Sequence, residues 1–135
     1  MISAKDARQL QYNNKLQEAH AQIEFDAKHT YLDEYGTKQY YSIESFDDIM
    51  NNIEDCCKYS YETAIVVRNR LHPDTVRRVK GNGYRVFLNR YETHDIRPSM
   101  NKYGKRIYEP ITYRWIDTHI SWGGNPKGIG KFEEI

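Results

Sequence analysis

The chain is 135 residues long, 39% hydrophobic and 29% charged, which suits one folded domain around one core and excludes whole-chain disorder. It holds no apolar run near the ~18 residues of a membrane span and opens on no basic-then-apolar leader, so neither a membrane partner nor signal-peptide secretion is expected. The net charge of +1 conceals a segregation: residues 1–67 carry six Lys/Arg against twelve Asp/Glu, residues 68–106 eleven against three, and residues 107–135 three against four.

Ser3 followed by Asp6 reads as a helix N-cap with an acid at the favourable end of the dipole. Leu10, Leu16, Ala19, Ile23 and Ala27 then recur at roughly helical spacing, and no Gly or Pro intervenes before Gly36. The pattern predicts one long amphipathic helix to about Tyr31 or Glu34, with Asn13-Asn14 as the place for a bend. Residues 35–41 read as a connection. Ser45 with Asp48 repeats the cap, and Phe46, Ile49, Met50, Ile53 and Cys57 follow at intervals of three and four, a second amphipathic helix ending near Lys58. On that spacing Cys57 belongs to the core and Cys56 to its margin. A disulfide between adjacent cysteines is strained, and no histidine is near enough in sequence to activate either thiol, so free, non-catalytic cysteines in a reducing compartment are expected.

Residues 63–67 form a β-branched run without alternation, as a strand covered on both faces requires. Pro73 and Asp74 suit the first turn of a short helix, in which Val76 and Val79 face a sheet. Gly81 or Gly83 ends it, and residues 84–88 restart a strand. From 93 to 110 the pattern dissolves into Arg97-Pro98, Asn101, Gly104 and Pro110, the residues of an exposed basic arm. Residues 112–122 restore alternation: Ile116, Thr118, Ile120 and Trp122 share one face, Tyr113 and Trp115 the other. Antiparallel pairing of this strand with 84–92 makes a long hairpin. The residues after Trp122 are Gly-rich and read as a flexible tail whose Phe132 and Ile135 could anchor on a neighbour.

The expected architecture is α+β: two N-terminal amphipathic helices, the first long, packed with a small βαββ sheet whose last two strands form a long hairpin. Residues 1–122 are expected as one domain, with a helical part at 1–60, a βαββ part at 61–122 and the basic arm at 93–110. Residues 123–135 are the tail.

Several chemical sites fail on spacing. Gly130-Lys131 invites a phosphate-loop reading, but Asn125 stands five residues before Gly130 and Phe132 replaces the required Ser or Thr. Gly81-Asn82-Gly83 follows a helix and opens a strand, the reverse of a dinucleotide loop. The five histidines have no metal-like spacing, and no cofactor is implied. His94-Asp95 could face Asp117-Thr118-His119 across the hairpin, where cross-strand polar contact is the plainer reading than acid–base catalysis. The chain is therefore expected not to be an enzyme.

The informative candidate is a basic, aromatic region: Arg77, Arg78, Lys80, Tyr84, Arg85, Arg90, Tyr91, Arg97, Lys102, Tyr103, Lys105 and Arg106. Cations interleaved with tyrosines have the ingredients of phosphate contact and base stacking. The same pattern also describes a solvated face balanced by the acidic helices, or a surface for protein assembly. Twelve tyrosines against four phenylalanines suit surfaces that are half-buried or shared with a partner, and equally an AT-rich coding bias.

Ala4-Lys5-Asp6-Ala7-Arg8 at the start, Gly83-Tyr84-Arg85-Val86 at the helix-to-strand turn, and Ile120-Ser121-Trp122 closing the last strand form a pattern that resembles small α+β proteins encoded by bacteriophages and other large DNA viruses. The resemblance implies a viral origin, an N-terminal helical part, a small α+β part and no known enzymatic site. The basic arm and the Gly-rich tail depart from it, as adaptation for assembly would. The long first helix, the charge segregation, the tyrosine excess, the basic arm and the tail point to a non-enzymatic viral protein that acts by self-association and docking, a virion accessory or structural component found in the virion or host cytoplasm, with homo-oligomeric or other virion partners. The alternatives are an anti-defence binding protein that sequesters a nucleotide signal or host factor, and a nucleic-acid-binding accessory protein.

Overall fold

A computed structural model of the chain describes residues 2–135. The chain is α+β and divides into two compact units, Met1–Tyr41 and Ser42–Ile135, where one domain was expected. The first unit contains α1 (Ala4–His29), β1 (Thr30–Leu32) and β2 (Lys38–Tyr40). The Ser3 hydroxyl accepts from the Asp6 N–H at 3.1 Å, so the cap forms as expected. The helix runs unbroken through Asn13-Asn14 and stops at His29, short of Tyr31.

α1 is not amphipathic in the way the spacing suggested. At about 100° per residue, Leu10 and Phe25 point away from Tyr12, Leu16, Ala19 and Ile23, so no single broad apolar stripe exists, and α1 buries none of its residues. Residues 35–41 contain β2, paired antiparallel with β1 as Thr30↔Tyr40, Tyr31↔Gln39 and Leu32↔Lys38. The turn is organised by Asp33, whose carboxylate accepts from the N–H groups of Tyr35 and Thr37 and stays below its usual pKa chiefly through the Thr37 bond.

The second unit contains α2 (Phe46–Tyr59), β3 (Ala64–Arg68), α3 (Pro73–Gly81), β4 (Arg85–Met100), β5 (Arg106–Ser121) and β6 (Lys131–Glu134). α2 opens on a full capping box: Ser45 Oγ accepts from Asp48 N–H at 3.1 Å, and Asp48 accepts from Ser45 N–H at 3.0 Å. α3 begins with Pro73 at its first turn, and Gly83, at φ +92°, makes the left-handed exit into β4 that a side chain would resist.

The sheet order is β3-β5-β4-β6, all neighbours antiparallel. β3 and β4 therefore run parallel to each other with β5 inserted between them, and α3 makes the crossover. Ile49, Ile53, Val67, Leu71, Val79, Val86 and Ile120 form the core, where α2 and α3 cover one sheet face. Cross-strand partners share a face, so the pairs Val86↔Ile120 and Leu88↔Thr118 point to the helices, while Phe87↔His119 and Asn89↔Asp117 point to the opposite face. The expected alternation of Ile116, Thr118 and Ile120 against Tyr113 and Trp115 holds.

Three further expectations are corrected. The arm at 93–110 is not irregular: it is the outer part of two 16-residue strands, closed by a turn at 101–105. The tail after Trp122 returns to the sheet as β6, and its Phe132 and Ile135 anchor on their own chain, Phe132 edge-on to His119 at 5.0 Å and Ile135 N–H donating to Val86 C=O at 2.9 Å. Composition signalled flexibility there, but β4 offered an unpaired edge beside the core that the strand could cover. In α2 the buried face continues to Cys56, half-buried with its Sγ 3.7 Å from Glu62 C=O, and Cys57 is exposed, because one further helical step turns it away from the sheet.

Candidate functional site

The basic, aromatic residues do not converge on one site. They run from α3 along β4, which is 16 residues long and spans about 54 Å, to the turn at its far end.

At the core end the cations are held within the chain. Arg85 makes a two-pronged contact with Glu134, Nη2 donating at 2.6 Å and Nε at 3.2 Å, while its Nη1 donates to Asn125 at 2.9 Å and its guanidinium stacks 4.8 Å from the Phe87 ring. Arg90 Nη1 donates to Glu133 at 2.6 Å. Both glutamates are on β6, and these bonds hold Glu134 and Glu133 below the ordinary carboxylate pKa. Arg77 bonds Asp74 one turn away at 2.8 Å, and Arg78 lies 4.0 Å over the Phe46 ring. Tyr84 packs edge-on against Trp122 at 6.2 Å. Tyr91 donates toward Asp117, with burial first and that bond second raising its pKa. The acidic balance expected from the helices is supplied here by β6 for Arg85 and Arg90, and by Asp74 of α3 for Arg77.

Beside these, Arg70, Arg77 and Lys80 rim a shallow depression of about 190 Å³ whose floor is Leu71, Val76 and Ile135. Several cations thus gather there round apolar surface.

The other end is different. β3 stops pairing at Arg68↔Asp117 and β6 at Arg90↔Lys131, so from Tyr91↔Trp115 to Met100↔Arg106 the hairpin is a two-stranded ribbon of ten pairs. Its turn is built on Asn101, whose side-chain oxygen accepts from Tyr103 N–H at 2.9 Å and Lys105 N–H at 3.0 Å. Lys102, Tyr103, Lys105 and Arg106 are exposed on and beside this turn, and Arg97 lies 3.7 Å from Glu109 across the strands. Ile96 is 66% exposed, Met100 73% and Tyr108 68%. Sequence reading missed these three as surface features because the region read as a loop; the Asn101-to-Gly104 spacing, typical of a hairpin turn, was the signal that could have shown two strands meeting there.

His94 and Asp117 do not meet. The register sets His94 opposite Thr112, Nδ1 3.1 Å from its hydroxyl oxygen, and Asp117 opposite Asn89, five residues further down the strand. His119 points to the open sheet face, where burial lowers its pKa and the nearby Asp117 partly offsets that. Among the described residues no three His, Cys, Asp or Glu side chains are grouped closely enough to hold a metal ion, and no helix is long and apolar enough to cross a membrane.

The chain matches no family model, no curated protein and no solved structure.

Proposed function

We propose that the protein is non-enzymatic and works by self-association and docking, most specifically as an accessory component of a virus particle. One observation carries this reading: α1 is 26 residues long and leaves all but Ala7 and Asp26 exposed. A helix in water draws most of its stability from packing an apolar face. Tyr12, Leu16, Ala19 and Ile23, spaced four, three and four apart, fall within roughly 60° of each other on a helix of 3.6 residues per turn, the narrow seam of a coiled-coil contact. Tyr12 is 59% exposed and Ile23 66%. A second copy presenting the same seam covers both. The viral part of the reading is supported by the short motifs at the start, the helix-to-strand turn and the end of β5.

Sedimentation of the full chain at low micromolar concentration is expected to show a dimer or higher oligomer, and Leu16→Asp a shift to monomer. A monomer that also joins no purified virus particle by mass spectrometry would sink the proposal.

The depression rimmed by Arg70, Arg77 and Lys80 favours a second reading, capture of a small phosphorylated ligand such as a nucleotide signal. It predicts a saturable rise in melting temperature with cyclic or adenine nucleotides, lost in Lys80→Ala.

A further inference from the structure

We propose that the outer ribbon is an arm for double-stranded DNA, with residues 96–108 entering the major groove. Four features carry this, and none depends on whether α1 self-associates.

The first is charge. Residues 96–108 contain Arg97, Lys102, Lys105 and Arg106 and no acidic residue, whereas the neighbouring stretches hold Glu92, Asp95, Glu109 and Arg114, with Arg114 paired to Glu92 at 3.3 Å. Positive charge is thus concentrated at the end furthest from the core, where a polyanion can reach it.

The second is shape. The free ribbon is ten pairs long, about 34 Å at the usual rise per residue. A two-stranded ribbon is one of the two elements that the ~12 Å major groove of DNA admits, while the major groove of duplex RNA is too deep and narrow for side chains to read.

The third is what the edges exclude. Val86 C=O accepts from Ile135 and Ile116 C=O from Asn69, so even-numbered residues of β4 and β5 turn their backbone groups outward from the shared ladder. Pro98 and Pro110 both fall on that outward set, in the pairs Pro98↔Tyr108 and Ile96↔Pro110. Each edge therefore lacks an N–H where a strand of another chain would need a donor. That disfavours extension of the sheet by a protein strand and leaves recognition to side chains.

The fourth is the kind of side chain offered. Tyr103, 76% exposed at the turn, and Met100 beside it bring apolar and aromatic surface among the cations. Such groups pack on sugars and base edges while the cations hold phosphates.

The test is fluorescence polarisation of the full chain with a labelled DNA duplex of about 20 base pairs, between 50 and 200 mM salt. Two to four phosphate contacts per arm predict affinity falling roughly 10- to 150-fold over that range. The triple variant K102A/K105A/R106A, which changes only exposed residues at the turn, is expected to lose at least tenfold in affinity while its melting temperature matches the parent. Duplex RNA of equal length is expected to bind more weakly than DNA. The Leu16→Asp variant is expected to keep tip-dependent binding, which separates this inference from the self-association reading. No binding to duplex DNA would overturn it. So would DNA binding unchanged by the triple variant, or tip-dependent binding to vesicles containing phosphatidylserine at least as tight as to DNA.

Discussion

The inner and outer parts of the β4–β5 hairpin are made by the same two strands in one continuous register, yet they are physically unlike. Inside, Val86 to Asn89 and Thr118, Ile120 and Ser121 are buried, with β3, β6 and two helices around them. Outside, among the described residues, β4 and β5 pair only with each other, and most of their side chains are exposed. Backbone pairing alone does not make a stable structure, since an isolated two-stranded hairpin is marginal in water. The inner part is stabilised by apolar burial. The outer part is held by its turn, by cross-strand contacts such as Trp115 Nε1 donating to Thr93 Oγ1 at 2.8 Å, and by its continuity with the inner part. That leaves Ile96, Met100 and Tyr108 exposed, as the proposed DNA-binding arm requires.

Substitutions separate the inner from the outer part. Ile49→Ala, at a position with no exposed surface, is expected to cost about 2–5 kcal/mol in chemical denaturation, whereas Ile96→Ala on the ribbon is expected to change stability by no more than about 0.5 kcal/mol. Equal effects would mean that the ribbon packs on the core.

A smaller effect tests what β6 adds to the inner part. Gly130 has φ +129°, and a Cβ there would come 1.9 Å from Asn89 Oδ1, so Gly130→Ala is expected to destabilise by about 1–3 kcal/mol. Release of β6 would also free Arg85 and Arg90 from Glu134 and Glu133. A melting curve identical to the parent's would show that β6 does not hold the edge of β4.

The smallest effect is a pH dependence confined to the inner part. Burial lowers the pKa of His119 from 6.5, so the unfolded chain binds the proton more readily than the folded one. Stability is then lost as pH falls from the unfolded value through the folded one, and is unaffected by this group at higher pH. His119→Gln is expected to flatten that slope. The carboxylates of Glu133 and Glu134, also lowered, add a separate loss only below the ordinary carboxylate range.

Much of the inner part was legible in the residues. Ser45 with Asp48, Pro73, the glycine after α3 and the β-branched runs act within a turn or two of where they stand, so local chemistry specifies α2, α3 and the inner strands. The candidate cations were legible as a list but not as a place. Their spacing along 16-residue strands, and the capture of Arg85 and Arg90 by residues more than 40 positions later, depend on pairing that no local pattern encodes.

Local sequence specified the N-caps of α1 and α2, the alternation of β5 and the turn after α3, because each depends on neighbours no more than four residues away. The tertiary structure alone decided that β5 lies between β3 and β4, that the Gly-rich tail closes the β4 edge, and that residues 93–110 form an exposed ribbon with its charge at the tip. The reason is that strand pairing is set by which edge remains open and which face remains unburied, and both are properties of the assembled sheet.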